Sequence, residues 1–181
     1  MRYLFLKRPF AIRPGIAGIA QTLQSHLRCR RTTVLSLLLL IIAALLFRSC
    51  FSFGLNATPS LPHTFYLIHK NAKVERGDYV AFRWHGGGPY PAGVTFVKII
   101  AGMSGDRVTE TAREFLVNGT SVGTAKRLSR KGIPLELGST GIIPSGQYYV
   151  KAPHPDSLDS RYRLTGWISQ TQIIGRAYVL F

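Results

Sequence analysis

The sequence predicts a mostly β domain behind a single N-terminal transmembrane helix. Three observations carry this. The 16 residues from Thr32 to Phe47, TTVLSLLLLIIAALLF, hold no charge. The chain beyond them falls into short runs rich in branched and aromatic residues, separated by Gly, Pro or Asn-Gly breaks. No segment of that later part shows a long apolar repeat at the 3.6-residue helical period.

The N-terminal elements come first. Residues 1–31 carry seven cations (Arg2, Lys7, Arg8, Arg13, Arg28, Arg30, Arg31) and no acids. Sixteen helical residues cover about 24 Å, a little short of a ~30 Å hydrocarbon core. Adding the uncharged stretch after Arg48, and letting Arg48 snorkel, closes the gap. Residues 32–53 are therefore read as the membrane anchor. The excess of cations before it places the basic arm, 1–31, in the cytoplasm and residues 54–181 outside. A cleaved signal peptide is the competing reading, with Arg30-Arg31 as a weak twin-arginine signal. Against it, no small-x-small cleavage site follows the apolar run.

Charge and cysteine usage exclude several classes. The 181 residues are 46% hydrophobic and only 17% charged, which excludes a disordered chain. The net charge of +15 points toward nucleic acid only until it is located. Residues 52–181 hold 15 cations and 8 acids, so half of the excess belongs to the membrane arm and needs no nucleic-acid partner. There it reads as a topology signal helped by anionic lipid. Two cysteines, Cys29 and Cys50, exclude a disulfide framework and a zinc ribbon.

In the exported part, strands are expected at FYLIHK (65–70), DYVAFRW (78–84), VTFVKIIAG (94–102), RVTE (107–110), EFLVNGTSVG (114–123), QYYVKAP (147–153) and QIIGRAYVLF (172–181). Asn118-Gly119 predicts a type I′ hairpin turn. Gly86-Gly87-Gly88 is a loop; it lacks the Lys-Ser/Thr and the following helix of a phosphate cradle.

Four segments carry chemistry: Asn56-Ala57-Thr58-Pro59-Ser60-Leu61-Pro62, Gly77-Asp78-Tyr79-Val80, Phe96–Asp106 and Asp156-Ser157-Leu158-Asp159-Ser160-Arg161-Tyr162. Together they describe a serine–lysine site. A serine hydroxyl is a weak nucleophile until a base takes its proton. An ordinary lysine is a poor base, because only about one in a thousand is neutral near pH 7.5. Lys98 sits among Phe96, Val97, Ile99 and Ile100. Burial there would bring its pKa toward neutrality at a cost of about 4 kcal/mol, within the range of desolvated lysines. The Ser60 backbone N–H and the Thr58 hydroxyl are candidate oxyanion donors. Pro59 and Pro62 stiffen the turn around the serine. A histidine base, with His63 nearest in sequence, is the rival within hydrolases; spacing provides no acid to orient it.

These segments, in this order behind one anchor, resemble the S26 signal peptidases, and more closely the TraF-type peptidases of conjugative transfer. The resemblance covers about residues 50–181. It implies a signal-peptidase-like, partly barrel-like β catalytic core whose exposed apolar surface approaches the membrane. It implies Ser60 as nucleophile, Lys98 as general base and Thr58 as the hydroxyl assisting the oxyanion. It places Ser157 as the serine that orients the lysine, with Asp159 and Arg161 as structural support. No metal or cofactor is implied. The implied substrate is a pilin precursor, either hydrolysed or cyclised, with other transfer proteins and the lipid bilayer as partners. The implied location is the bacterial inner membrane with a periplasmic catalytic domain. A general signal peptidase and a non-enzymatic pilus-assembly scaffold are the alternatives. The chain departs from relatives at Leu61, Ile99, Thr64 and the segment after Tyr162, all outside the Ser60–Lys98 dyad.

Overall fold

The computed structural model describes the backbone of residues 15–181 and the side chains from Arg30 onward. Of the expected basic arm, Arg2, Lys7, Arg8 and Arg13 lie outside the described residues, as do the Arg28 and Cys29 side chains. The chain divides into two compact units between Leu46 and Phe47.

One helix, α1 (Ile16–Cys50), contains an apolar span, Arg30–Cys50, of 21 residues. That is about 31 Å of helix, enough by length and composition to cross a hydrocarbon core. The expected segment 32–53 is corrected at its C-terminal end. The helix begins earlier, at Ile16, and stops at Cys50. Phe51–Phe53 belong instead to β1 (Phe51–Leu55), whose ladder runs from Phe51↔His69 to Leu55↔Phe65. The reason is periodicity: Phe51, Phe53 and Leu55 alternate with Ser52 and Gly54, which suits a strand. The β unit thus starts before residue 54.

The remaining strands are β2 (Phe65–Lys70), β3 (Tyr79–Arg83), β4 (Thr95–Gly102), β5 (Arg107–Thr111), β6 (Glu114–Val117), β7 (Thr120–Thr124), β8 (Gly141–Ile142), β9 (Gln147–Lys151), β10 (Ile168–Ser169) and β11 (Ile173–Val179). They form a seven-stranded sheet, β1-β2-β11-β3-β4-β9-β10, and a four-stranded sheet, β7-β6-β5-β8. Every expected run supplies a strand. The Asn118-Gly119 turn takes left-handed backbone at both positions (φ 49° and 79°), as a type I′ turn requires.

The core lies on both faces of the large sheet. Val80 and Phe82 of β3 pack with Trp84, Ile100, Val150 and Ile168. Ala81, between them, faces a second cluster with Leu61, Tyr66, Ile68 and Ala177. A third cluster joins Tyr149 of β9 to Phe115, Val117 and Val108 of the small sheet. A strand buried on both faces loses polar alternation, which is why β3 and β4 read as near-continuous apolar runs.

One surface stays apolar and exposed. Leu55 and Phe65 are cross-strand partners, Phe53 lies two residues along on the same face as Leu55, and Phe65 meets Phe181 edge-on at 5.4 Å. Phe53 is 70% and Phe181 75% exposed.

β11 needs glycine at one point. A Cβ on Gly175 would lie 2.0 Å from the His69 carbonyl oxygen, at the irregularity where β11 shifts register against β3. Gly175→Ala is expected to destabilise the β unit by roughly 1–3 kcal/mol, read as a lower melting temperature.

Candidate active site

The loop between β1 and β2 carries Ser60. Asn56 organises it. Its Nδ2 donates to the carbonyls of Leu61 (3.3 Å) and His63 (3.1 Å), and its Oδ1 accepts from the Thr58 backbone N–H (3.4 Å) and hydroxyl (3.2 Å). Asn is suited to this, since its short amide can serve several turn groups at once. Leu61 is buried in the core and anchors the far side of the loop. Ser60 is held as a buried residue, with the Thr58 hydroxyl 3.0 Å from its Oγ.

Lys98 stands on β4 opposite Val80 of β3, and is only 5% exposed. Its Nζ donates to Ser157 Oγ at 2.9 Å and lies 5.7 Å from the centre of the Phe96 ring. Burial disfavours the ammonium and brings the pKa down to about 8, against a smaller upward pull from Asp159 and a smaller downward push from Arg161. At that value about a quarter of the lysine is neutral at pH 7.5, against about one in a thousand ordinarily.

Ser157 reaches Lys98 because β9 pairs with β4, Ile100↔Val150 and Ile99↔Lys151, so the loop leaving β9 returns beside Lys98. That loop is locked from below. Asp159 is fully buried and accepts from Arg161 Nε (2.8 Å) and Nη2 (2.9 Å), and from the backbone of Ala152 (3.0 Å). Arg161 also donates to the Thr124 carbonyl (3.0 Å). Contact with Asp159 outweighs desolvation and holds the guanidinium above its ordinary pKa. Ser160 closes the clasp, its Oγ accepting from the Val150 N–H at 2.9 Å.

Thr58, Ser60, Lys98 and Ser157 all line one cavity of about 1070 Å³. Asp159 and Arg161 do not; they sit beneath it. Chemically the cavity offers a hydroxyl, a largely desolvated amine and a second hydroxyl among its lining groups, with Phe96, Val97 and Leu164 as apolar lining. The histidines of the rival reading have contacts of their own, although His85 and His154 line the same cavity. His63 packs edge-on against Tyr66 and Tyr79, while His85 Nε2 contacts the Leu164 carbonyl and His154 Nδ1 accepts from the Asp156 N–H. Among the described residues neither they nor Lys98 hydrogen-bond Ser60 Oγ, whose contact is with the Thr58 hydroxyl.

Two contributors were not singled out from sequence. Asn56 lay in the quoted segment without a role; an Asn two residues before a Thr in a Pro-rich turn is the signal that could have found it. Gly123 faces Arg161, with left-handed backbone (φ +113°) and a virtual Cβ 3.0 Å from Nη1. A Gly inside a strand-like run is too common to have marked it.

The family model for signal peptidase, peptidase S26, matches residues 27–181. The chain therefore belongs to the S26 signal peptidase family, a family of serine peptidases. Among solved structures, it is similar to a signal peptidase I from Enterococcus faecalis, at 27% identity, covering 60% of this chain and 97% of that one, with a TM-score of 0.39. No curated protein matches.

Removing one partner of the buried pair should be costly. Asp159→Ala leaves the buried Arg161 charge without its carboxylate, so a loss of about 3–5 kcal/mol in folding stability is expected, measured by denaturant unfolding.

Proposed function

We propose that the chain is a membrane-anchored serine endopeptidase in which Ser60 is the nucleophile and Lys98 the general base, acting on a pilin precursor in conjugative transfer. The observation that carries the dyad is a buried, pKa-lowered Lys98 that lines the same cavity as Ser60. A neutral Lys98 that donates one N–H to Ser157 keeps its lone pair free for the Ser60 proton. Ser60 Oγ then bonds the substrate carbonyl carbon, and the Thr58 hydroxyl donates to the oxyanion. The Lys98 ammonium returns the proton to the leaving amine as the peptide C–N bond breaks. An acyl group remains on Ser60. Water resolves it to a linear product, or the precursor's own amine resolves it to a cyclic one.

The excess of cations before α1 supports a cytoplasmic N-terminus and a periplasmic β domain in the inner membrane. The exposed Phe53, Leu55, Phe65 and Phe181 face supports an approach of the β unit to lipid. The Asn56-x-Thr58-x-Ser60-x-Pro62 segment resembles the nucleophile box of the TraF-type peptidases, which supports the pilin reading over a general one. A general signal peptidase would use the same chemistry, and the family match favours it equally.

Co-expression with a propilin and, separately, with a secretory precursor tests both levels. Ser60→Ala and Lys98→Met are each expected to lower processing by roughly 10³-fold or more while folding normally. Lys98→Met that still processes would overturn the base assignment. A propilin product one water lighter than the linear chain identifies cyclisation; cleavage of the secretory precursor alone overturns the pilin role. The rate should rise with pH through about 8 and level off above it, because the neutral amine is the active form. Stability has a matching sign. Burial lowers the folded pKa below that of the unfolded chain, so the penalty is complete below pH 8 and is relieved as pH rises toward 10.5.

A further inference from the structure

Thr58 has one hydroxyl proton and two acceptors within reach: Asn56 Oδ1 at 3.2 Å and Ser60 Oγ at 3.0 Å. It donates to one at a time. The orientation of the Asn56 amide is fixed by its other bonds. Nδ2 donates to the Leu61 and His63 carbonyls, and turning the amide over would set its oxygen against both. The oxygen that remains takes the Thr58 N–H as well, at 3.4 Å, and so grips that residue by backbone and side chain together.

We infer that Asn56 is a positioning residue for the reaction at Ser60, its amide oxygen gripping Thr58 by backbone N–H and side chain and so keeping the Thr58 hydroxyl within reach of Ser60. The inference rests on Ser60 being the nucleophile. When Thr58 turns its proton to Ser60, the Ser60 proton is free to pass to Lys98. Once the substrate carbonyl is attacked, the same Thr58 proton is available to the new oxyanion. Asn56 touches no reacting atom; it acts through Thr58. The rival role is purely structural, in which the two bonds to Leu61 and His63 hold the loop and the contact with Thr58 is incidental.

A double-mutant cycle separates the two. The full chain is assayed in detergent micelles on a precursor peptide with an Ala-x-Ala junction after an apolar segment. Asn56→Ala is expected to lower kcat about tenfold, with KM within about twofold. Thr58→Val lowers kcat by about a hundredfold. In the Thr58→Val background, Asn56→Ala should cost less than about a further twofold, because the group it acts through is gone. A full tenfold loss in that background overturns the inference, as does an effect on KM alone. Asn56→Asp guards against a loop that fails to fold. It keeps the acceptor for Thr58 and gives up the donors to the loop, so on the high-pH plateau it should retain more kcat than Asn56→Ala while melting lower. Equal loss of kcat in both variants also overturns the inference. Ser60→Ala distinguishes the levels. If it still cleaves, the nucleophile assignment and this inference fall together; if it is inactive and the losses are additive, this inference alone falls.

Discussion

An amine that must lose its proton near neutral pH has to be taken out of water, and most of the β unit follows from that constraint on Lys98. Desolvation is the dominant influence on its pKa. It is achieved by placing the residue on β4, flanked by β3 from Thr95 to Ile99 and by β9 from Ile99 to Gly102, where it is only 5% exposed. A buried amine without a partner would be costly, and the Ser157 hydroxyl supplies that partner without adding charge. The pairing of β4 with β9 is what brings Ser157 there. The fold and the site are thus one problem solved by one strand neighbourhood.

The support beneath the site solves a second problem. Asp159 must hold the loop that carries Ser157, yet a lone buried carboxylate nearby would stabilise the Lys98 ammonium and undo the desolvation. Arg161, gripping Asp159 through two nitrogens, offsets it: the two act on Lys98 with opposite sign. A paired acid can brace the loop while leaving the lysine pKa to burial. This accounts for a charge pair in a place where an apolar pair would pack as well.

Much of this was legible in the sequence, and the misses have physical reasons. Ser60, Lys98 and Thr58 were readable because each chemistry needs its residue type, Ser157 came from the family resemblance, and all four line one cavity. The strands were readable from branched and aromatic runs between turn residues. β1 was not. Phe51 and Phe53 follow an apolar helix directly, and hydropathy alone joins them to it; only the partner strand reveals their alternation. β8 and β10 are two residues each, too short for any pattern to register. Which way Lys98 points was also beyond the sequence. The run Val97-Lys98-Ile99 allows a solvent-facing lysine, and burial by β3 and β9 decides against it.

Asn56 shows why local polar residues are hard to weigh from sequence. An Asn before a turn is ordinarily satisfied by its own backbone, and such a reading would stop there. Here the turn is built so that one amide serves two loop carbonyls on one side and Thr58 on the other. A single side chain then couples the shape of the loop to the direction of one hydroxyl proton. Because Pro59 and Pro62 already restrict the backbone, the variable left for the loop to control is that proton, not the position of the chain. A rigid turn with one mobile proton is a sound arrangement for a weak nucleophile. It limits the reorganisation needed at the moment of attack to a rotation about one C–O bond.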